Sequence, residues 1–268
     1  MTGSAVSKQV QRLENDLGAR LFHRTTRQLS LTDEGSFLFE RSAPLVEGIE
    51  EVGEMLAGRR VNPEGSLRIS APVALAQRVL KEPLTSFIMK NRGINLHVEL
   101  SDRFVDLVGE GFDLAIRIGH LEDSSLIARR LADVPMVLAG APILLAEYGT
   151  PKTPDDLANI PFVHYGSDRN AQRLKLQKGS EEPLQIVTQA KLSTNNDQMM
   201  VSFARAGQGL ILLPRFMVES ELQNERLREV LPAYQLIPER KLYAVFPHGR
   251  HLPLKTRVLI DFLVEELA

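Results

Sequence analysis

The sequence predicts an α/β protein in two parts, a short charged head and a larger body, and three observations predict it. From Ser66 onward, apolar strand-length runs alternate with amphipathic helical segments, the pattern of α/β architecture with mostly parallel sheets. Ahead of that body the polar break Arg59–Gly65 (RRVNPEG) is the strongest linker in the chain. The head itself is split by charge. Residues 1–32 carry Lys8, Arg12, Arg20, Arg24 and Arg27 against Glu14 and Asp16, whereas residues 33–58 carry only Arg41 against seven acids. Two separate jobs or two ordinary solvated faces both account for that contrast.

In chain order, Val6, Val10, Leu13 and Leu17 form one apolar helical stripe, stopped by Gly18. The opposite face shows Ser4, Ser7, Lys8, Gln11 and Arg12. In LFHRTTRQLSLT, Leu29 and Leu31 alternate with polar residues, which predicts a two-stranded hairpin with Arg24-Thr25-Thr26-Arg27 at its tip. Thr32 is then placed to cap a long helix, with Asp33 and Glu34 opposing the positive end of its dipole. That helix, from about Asp33 to Gly58, spaces Leu38, Leu45, Ile49, Val52 and Leu56 as a coiled-coil seam. The seam packs either on its own domain or on a second chain.

In the body, strands are expected at 67–70, 96–100, 114–118, 136–139, 162–165, 186–192, 210–213 and 242–246. Helices are expected at 73–91, 154–159, 197–206, 215–224 and 254–267. At 268 residues and roughly 150 per domain, about two domains fit. Hydrophobic residues make up 43% and charged residues 25%, which excludes wholesale disorder and coiled coil. The cysteine count is 0, so thiol catalysis, disulfide scaffolds and cysteine metal sites are excluded. The polar opening MTGSAVSKQVQRLEN has no secretory core, and Val134–Ala146 is too short and too interrupted to span a bilayer. No membrane partner and a cytoplasmic location are expected.

No catalytic constellation emerges. His23, His97, His120, His164, His248 and His251 form no metal-binding spacing, so neither metal nor cofactor is expected. No nucleophile elbow or phosphate loop occurs, and Gly207-Gln208-Gly209 reads as a helix stop and turn. The head is more informative. A helix exposing Ser, Lys, Gln and Arg suits major-groove readout, and a basic hairpin tip suits phosphate or minor-groove contact. An ordinary polar surface helix has the same composition; residue order separates the two.

That order, SAVSKQVQRLENDLGARLFHRTTRQLSLTDEG over Ser4–Gly35, resembles the second half of the winged helix-turn-helix of LysR-type transcriptional regulators. Further similar stretches are GSLRISAP (65–72), FDLAIRIGHLEDSSLIARRL (112–131), PDDLANIPFVHY (154–165) and NNDQMMVSFARAGQGLILLP (195–214), so the resemblance covers essentially the whole chain. It implies a partial winged helix-turn-helix and linker helix, then a two-lobed effector domain like periplasmic binding proteins. The implied division is 1–32 for DNA binding, 33–58 for a dimerising linker helix, and 59–65 for a hinge. Effector lobe I is 66–141 with 242–268, and lobe II is 142–241. Ser4, Ser7, Lys8, Gln11 and Arg12 become groove readers, with Arg24, Thr25, Thr26 and Arg27 as the wing. The family has two helices ahead of this point, so an N-terminal truncation, and weak or absent DNA binding, is expected. A homodimer or homotetramer on double-stranded operator DNA is implied, with the apolar seam now assigned to the second chain.

The effector is expected between the lobes, at strand ends and helix N-termini, where free N–H groups favour an anion. The resemblance implies that Ser70-Ala71-Pro72 and Asn195-Asn196 face each other there. Around them are placed Ser101, Asp102, Ile118, Gly119, His164, Tyr165 and Thr194. A small organic anion is the expected ligand, with Arg117 either its ligand or, as a mid-strand residue, the partner of a neighbouring acid, although Asp102 argues mildly against it. A free-standing solute-binding protein is the alternative, but the head hairpin has no role in that reading.

Overall fold

The computed structural model describes residues 3–24, 29–56, 62–119, 126–166, 171–247 and 252–267. It divides into two compact units, 1–63 with 249–257, and 64–248 with 258–268.

The first unit begins with helix α1 (Gly3–Leu17), which ends where Gly18 takes φ +67°. The turn after it is held by Glu14, whose carboxylate accepts from the amides of Leu21 (2.9 Å) and Phe22 (3.3 Å). Strands β1 (Phe22–Arg24) and β2 (Leu29–Leu31) form the expected hairpin, with Arg24 opposite Leu29. Helix α2 (Asp33–Leu56) follows at once. Thr32 caps it as predicted, its hydroxyl accepting from the Gly35 amide at 3.0 Å and donating to the Arg20 carbonyl at 2.6 Å. Gly35 permits that junction, because a Cβ there would lie 2.0 Å from the Leu21 carbonyl oxygen. Pro44 removes one rung from the α2 hydrogen-bond ladder.

The second unit holds two lobes. In lobe I a five-stranded sheet has the order β4 (Ile94–Leu100), β3 (Gly65–Ala71), β5 (Leu114–Gly119), β15 (Arg240–Pro247), β6 (Leu126–Val134). Strand β3 runs parallel to β4 and β5, but β15 is antiparallel to β5 and β6. The sheet is therefore mixed rather than mostly parallel, because β15 re-enters it from the other lobe in the opposite direction. Helix α3 connects β3 to β4, and it begins in α form (Val73–Leu75), passes through a π turn (Ala76–Leu80) and continues as α (Lys81–Lys90). Pro83 cannot donate to Val79, and the π turn sits just ahead of that missing rung. Helix α7 (Leu254–Glu266) reaches α3 through Phe262, whose ring lies 5.5 Å from that of Phe87.

Lobe II is built on three small sheets. Strand β7 (Met136–Gly140) is antiparallel to β12 (Ile211–Pro214) and β13 (Arg228–Val230), and β8 (Phe162–Tyr165) is parallel to β11 (Ala190–Thr194). Strand β9 (Gln172–Gln177) lies between β10 (Leu184–Thr188) and β14 (Gln235–Ile237). Among the described residues β7 pairs only within this lobe, so the chain crosses out at Pro135, ahead of the expected Ala141, and returns at β15, which begins at Arg240 beside the expected Lys241. Period-two alternation splits the core into layers. Leu138, Phe162 and Leu210 pack on one side with α4 (Pro142–Tyr148), while Val137, Val163 and Ile211 pack on the other with α5 (Asp197–Arg205) and α6 (Arg215–Gln223). The expected single strand at 186–192 is two strands in different sheets, divided at Gln189, whose carbonyl accepts from the Phe162 amide. Strands β6, β9, β13 and β14, and helix α4, went unforeseen.

Candidate functional site: the interlobe cleft and the head

A cleft of about 590 Å³ opens between the lobes of the second unit, within the range of small-molecule sites. Both lobes line it. Pro72, Asp102, Arg117 and Ile118 come from lobe I, and His164, Tyr165, Asp197 and Met200 come from lobe II. Among the residues expected from sequence, Pro72, Asp102, Ile118, His164 and Tyr165 are thus brought together. Ser70 and Ala71 are fully buried, and Ser70 acts indirectly by accepting a hydrogen bond from Arg117 Nη2 at 2.9 Å. Ser101 shapes the turn instead, its hydroxyl accepting from the Arg103 amide at 3.3 Å. Gly119, Thr194 and Asn195 lie outside the lining. Thr194 accepts from the amide of Asn196, and it is Asn196, not Asn195, that caps α5 by accepting from Met199 N at 3.0 Å.

At least one amide at each helix start is already taken by a side chain. The carboxylate of Asp102 accepts from Val73 N at 3.1 Å, and that of Asp197 accepts from Gln198 N at 2.8 Å. Side chains are also on hand to meet an anion in the cleft. Arg117, Arg173 and Arg240 all line it. Arg117, read from sequence as either an anion ligand or the partner of a neighbouring acid, lines the cleft, whereas Asp197, Arg173 and Arg240 were missed. The position after the Asn-Asn cap was the available signal for Asp197.

Burial lowers the pKa of Arg117, and the nearby Asp102 charge only partly opposes this. Burial raises the pKa of Asp197, with the Asp102 charge adding to the effect. Tyr165 is pushed up by burial and by both of these carboxylates. His164 is only 2% exposed and lies 2.9 Å through Nε2 from the Thr188 hydroxyl. That hydroxyl also lies 3.3 Å from the Gln172 carbonyl oxygen, joining the His164 ring to strand β9.

In the head, Lys8, Gln11 and Arg12 are exposed along α1, where Ser4 and Ser7 share the helix. Arg12 lies 3.9 Å from Asp16, one turn on. Arg24 closes the paired part of the hairpin, and Thr25, Thr26 and Arg27 fall outside the described residues. Leu13 and Leu17 are exposed, as are Phe37, Leu45 and Ile49 on α2.

Residues 60–268 match the LysR substrate binding domain, and residues 1–36 match the bacterial regulatory helix-turn-helix protein, lysR family. The chain belongs to the LysR family of transcriptional regulators. The HTH-type transcriptional activator AaeR of Escherichia coli is 31% identical over 265 residues, spanning 99% of this chain and 85% of that protein. Among solved structures, CrgA, a LysR-type regulator from Neisseria meningitidis, has a TM-score of 0.64 at 28% identity, covering 100% of this chain and 90% of that one. Full-length AphB, a virulence activator of Vibrio cholerae, has a TM-score of 0.63 at 26% identity, covering 99% of this chain and 90% of that one.

LysR membership gives the hairpin and the exposed cationic face of α1 a role that a free-standing solute-binding protein would not. The relatives are transcriptional regulators rather than enzymes. Among the described residues no helix is long and apolar enough to cross a membrane.

Proposed function

We propose that this LysR regulator is a cytoplasmic, non-enzymatic sensor that reads operator DNA with α1 and the β1–β2 wing, pairs through α2, and takes its effector in the interlobe cleft. The cleft carries the sensing half of this reading, since it is lined from both lobes and a ligand in it would bias their arrangement. Ser4, Ser7, Lys8, Gln11 and Arg12 would face the groove, with Arg24, Thr25, Thr26 and Arg27 on the backbone. The domain division follows, with 1–32 on DNA, 33–58 pairing, 59–65 as hinge and the remainder sensing. A homodimer or homotetramer is supported by Leu45 and Ile49, which are 69% and 74% exposed on the seam of α2.

Three measurements test it. In duplex-binding titrations at low salt, Lys8→Ala should lower affinity and reduce the salt slope by about one; an unchanged slope would remove α1 from the interface. A metabolite that raises the unfolding midpoint should lose its effect in Ile118→Trp, which fills the cleft while leaving the unliganded midpoint close to the parent's. Retention of the effect would move the effector elsewhere. For pairing, Leu45→Glu with Ile49→Glu should turn a dimeric mass into a monomeric one by sedimentation.

A further inference from the structure

The cleft holds charges of both signs that do not bond to one another. Arg117 donates to the Ser70 hydroxyl at 2.9 Å, the Arg103 carbonyl at 3.1 Å and the Ile116 carbonyl at 3.0 Å, all of them neutral acceptors. Asp102 and Asp197 each accept from a backbone amide. Among the described residues none of the three belongs to an ion pair. Yet they are close enough for Arg117 to feel Asp102, and for Asp197 to feel Asp102.

Arg117 and Asp197 are half-buried charges bonded only to neutral groups, so each is poorly compensated for the water it has lost, while Asp102 stands exposed beside them. The guanidinium lacks a carboxylate. The two carboxylates, one from each lobe, repel each other across the cleft, and the cations near them, Arg78 for Asp197 and Arg117 for Asp102, act without a bonded ion pair. The directions of the shifts agree, since the charged form of Arg117 and that of Asp197 are both disfavoured where they stand. A ligand with a single negative charge would serve Arg117 but add a third carboxylate beside the first two. A simple amine would serve the acids and leave the guanidinium as it is.

We propose that the cleft recognises a small zwitterion of α-amino-acid type, its ammonium held between Asp102 and Asp197 and its carboxylate on Arg117. This rests on reading the cleft as the effector site. In an α-amino acid the two charges are adjacent, which suits protein charges that already feel each other. The side chain would lie against Met136, Met200 and Met217, whose unbranched thioethers adapt to varied shapes. Because Asp102 and Asp197 belong to different lobes, the ammonium replaces repulsion across the cleft with attraction on both sides. Binding is thereby coupled to lobe closure.

The test uses the full chain in calorimetric titration and thermal unfolding. The probes are the common amino acids, with deaminated and decarboxylated counterparts of two of them. These are phenylalanine, 3-phenylpropanoate and 2-phenylethylamine, then leucine, 4-methylpentanoate and 3-methylbutylamine, each raised to about 10 mM. At least one amino acid should bind, and its own single-charge counterparts should bind at least about tenfold more weakly. Asp197→Asn should weaken the amino acid about tenfold or more while leaving carboxylate binding unchanged. Asp102→Asn should do the same, since asparagine can still cap Val73. Equal or tighter binding of a carboxylate or amine alone, abolished by Ile118→Trp, overturns the zwitterion and keeps the cleft reading. Silence from every amino acid also overturns the zwitterion, and the cleft reading then stands or falls on the Ile118→Trp comparison with whichever metabolite does bind.

Discussion

The two units of this regulator use apolar residues in opposite ways. In the sensing unit Phe87, Phe162, Leu67 and Ile69 are fully buried, and strand alternation feeds both faces of the lobe II sheets. In the head, Leu13, Leu17, Phe37, Phe39, Leu45 and Ile49 all stand exposed. The head is instead organised by polar contacts at its junctions, with Glu14 on the turn before the wing and Thr32 on the start of α2. The difference teaches where each unit finds its stability. The sensing unit closes cores within one chain, whereas Leu45 and Ile49 of the α2 seam are left exposed, the surface that the proposed pairing would cover.

The largest effect expected from breaking that contrast is in the lobe II core. Phe162 packs among Leu138, Leu157, Leu174 and Ile186, with Gly209 pressed so close that a Cβ there would meet the Pro161 carbonyl oxygen at 2.8 Å. Phe162→Ala should cost about 3–5 kcal/mol in equilibrium unfolding. A loss below about 1 kcal/mol would mean that the core relaxes around the site and that the contrast with the head is overstated.

A smaller effect is expected in the head. Thr32→Ala removes the hydroxyl that joins the Gly35 amide to the Arg20 carbonyl, and should cost about 1–2 kcal/mol. Amide exchange around Leu21 and Gly35 should accelerate accordingly, while amides of the β3 and β7 strands stay protected. Equal acceleration in both sets would show that the head and the sensing unit unfold together.

What was legible in the sequence follows the same division. Apolar strands with one clear period, such as Phe162–Tyr165, were read to their ends, and Thr32 was recognised as a cap from its neighbours alone. Strand β6, LIARRLADV, was missed because three of its residues are charged and it is held by pairing with β15 rather than by an apolar face. The break at Gln189 carries no glycine or proline, so nothing in the order of residues separates β10 from β11; it arises because Gln189 bonds to the start of β8. In the cleft, residues at strand ends and caps were visible as turn chemistry. Arg117 was visible as an anion ligand or an acid's partner without a choice between the two, and Asp197 was not singled out, because an aspartate in a first helical turn has ordinary roles; only the fold puts them in one cavity.

The smallest predicted effect concerns the loop that carries Asp102 and Phe104 to the cleft. Glu110 anchors it, accepting from both terminal nitrogens of Arg103 and from the Asp106 amide at 2.9 Å. These donors hold the Glu110 carboxyl well down, from 4.5 to about 2. A depressed carboxylate stabilises the folded loop above its ordinary pKa, and that contribution is lost as pH falls from 4.5 toward about 2. The pair is solvent-exposed and screened, so its effect on global unfolding should be slight. Its local effect should be readable in amide exchange over 101–113, which should accelerate in the parent as pH is lowered through that window, beyond the ordinary pH dependence of exchange. Glu110→Gln should start from the accelerated state and show no such extra change. If the variant and parent respond identically, the carboxylate does not anchor the loop. Asp102 would then owe its place at the cleft to its bond with the Val73 amide alone.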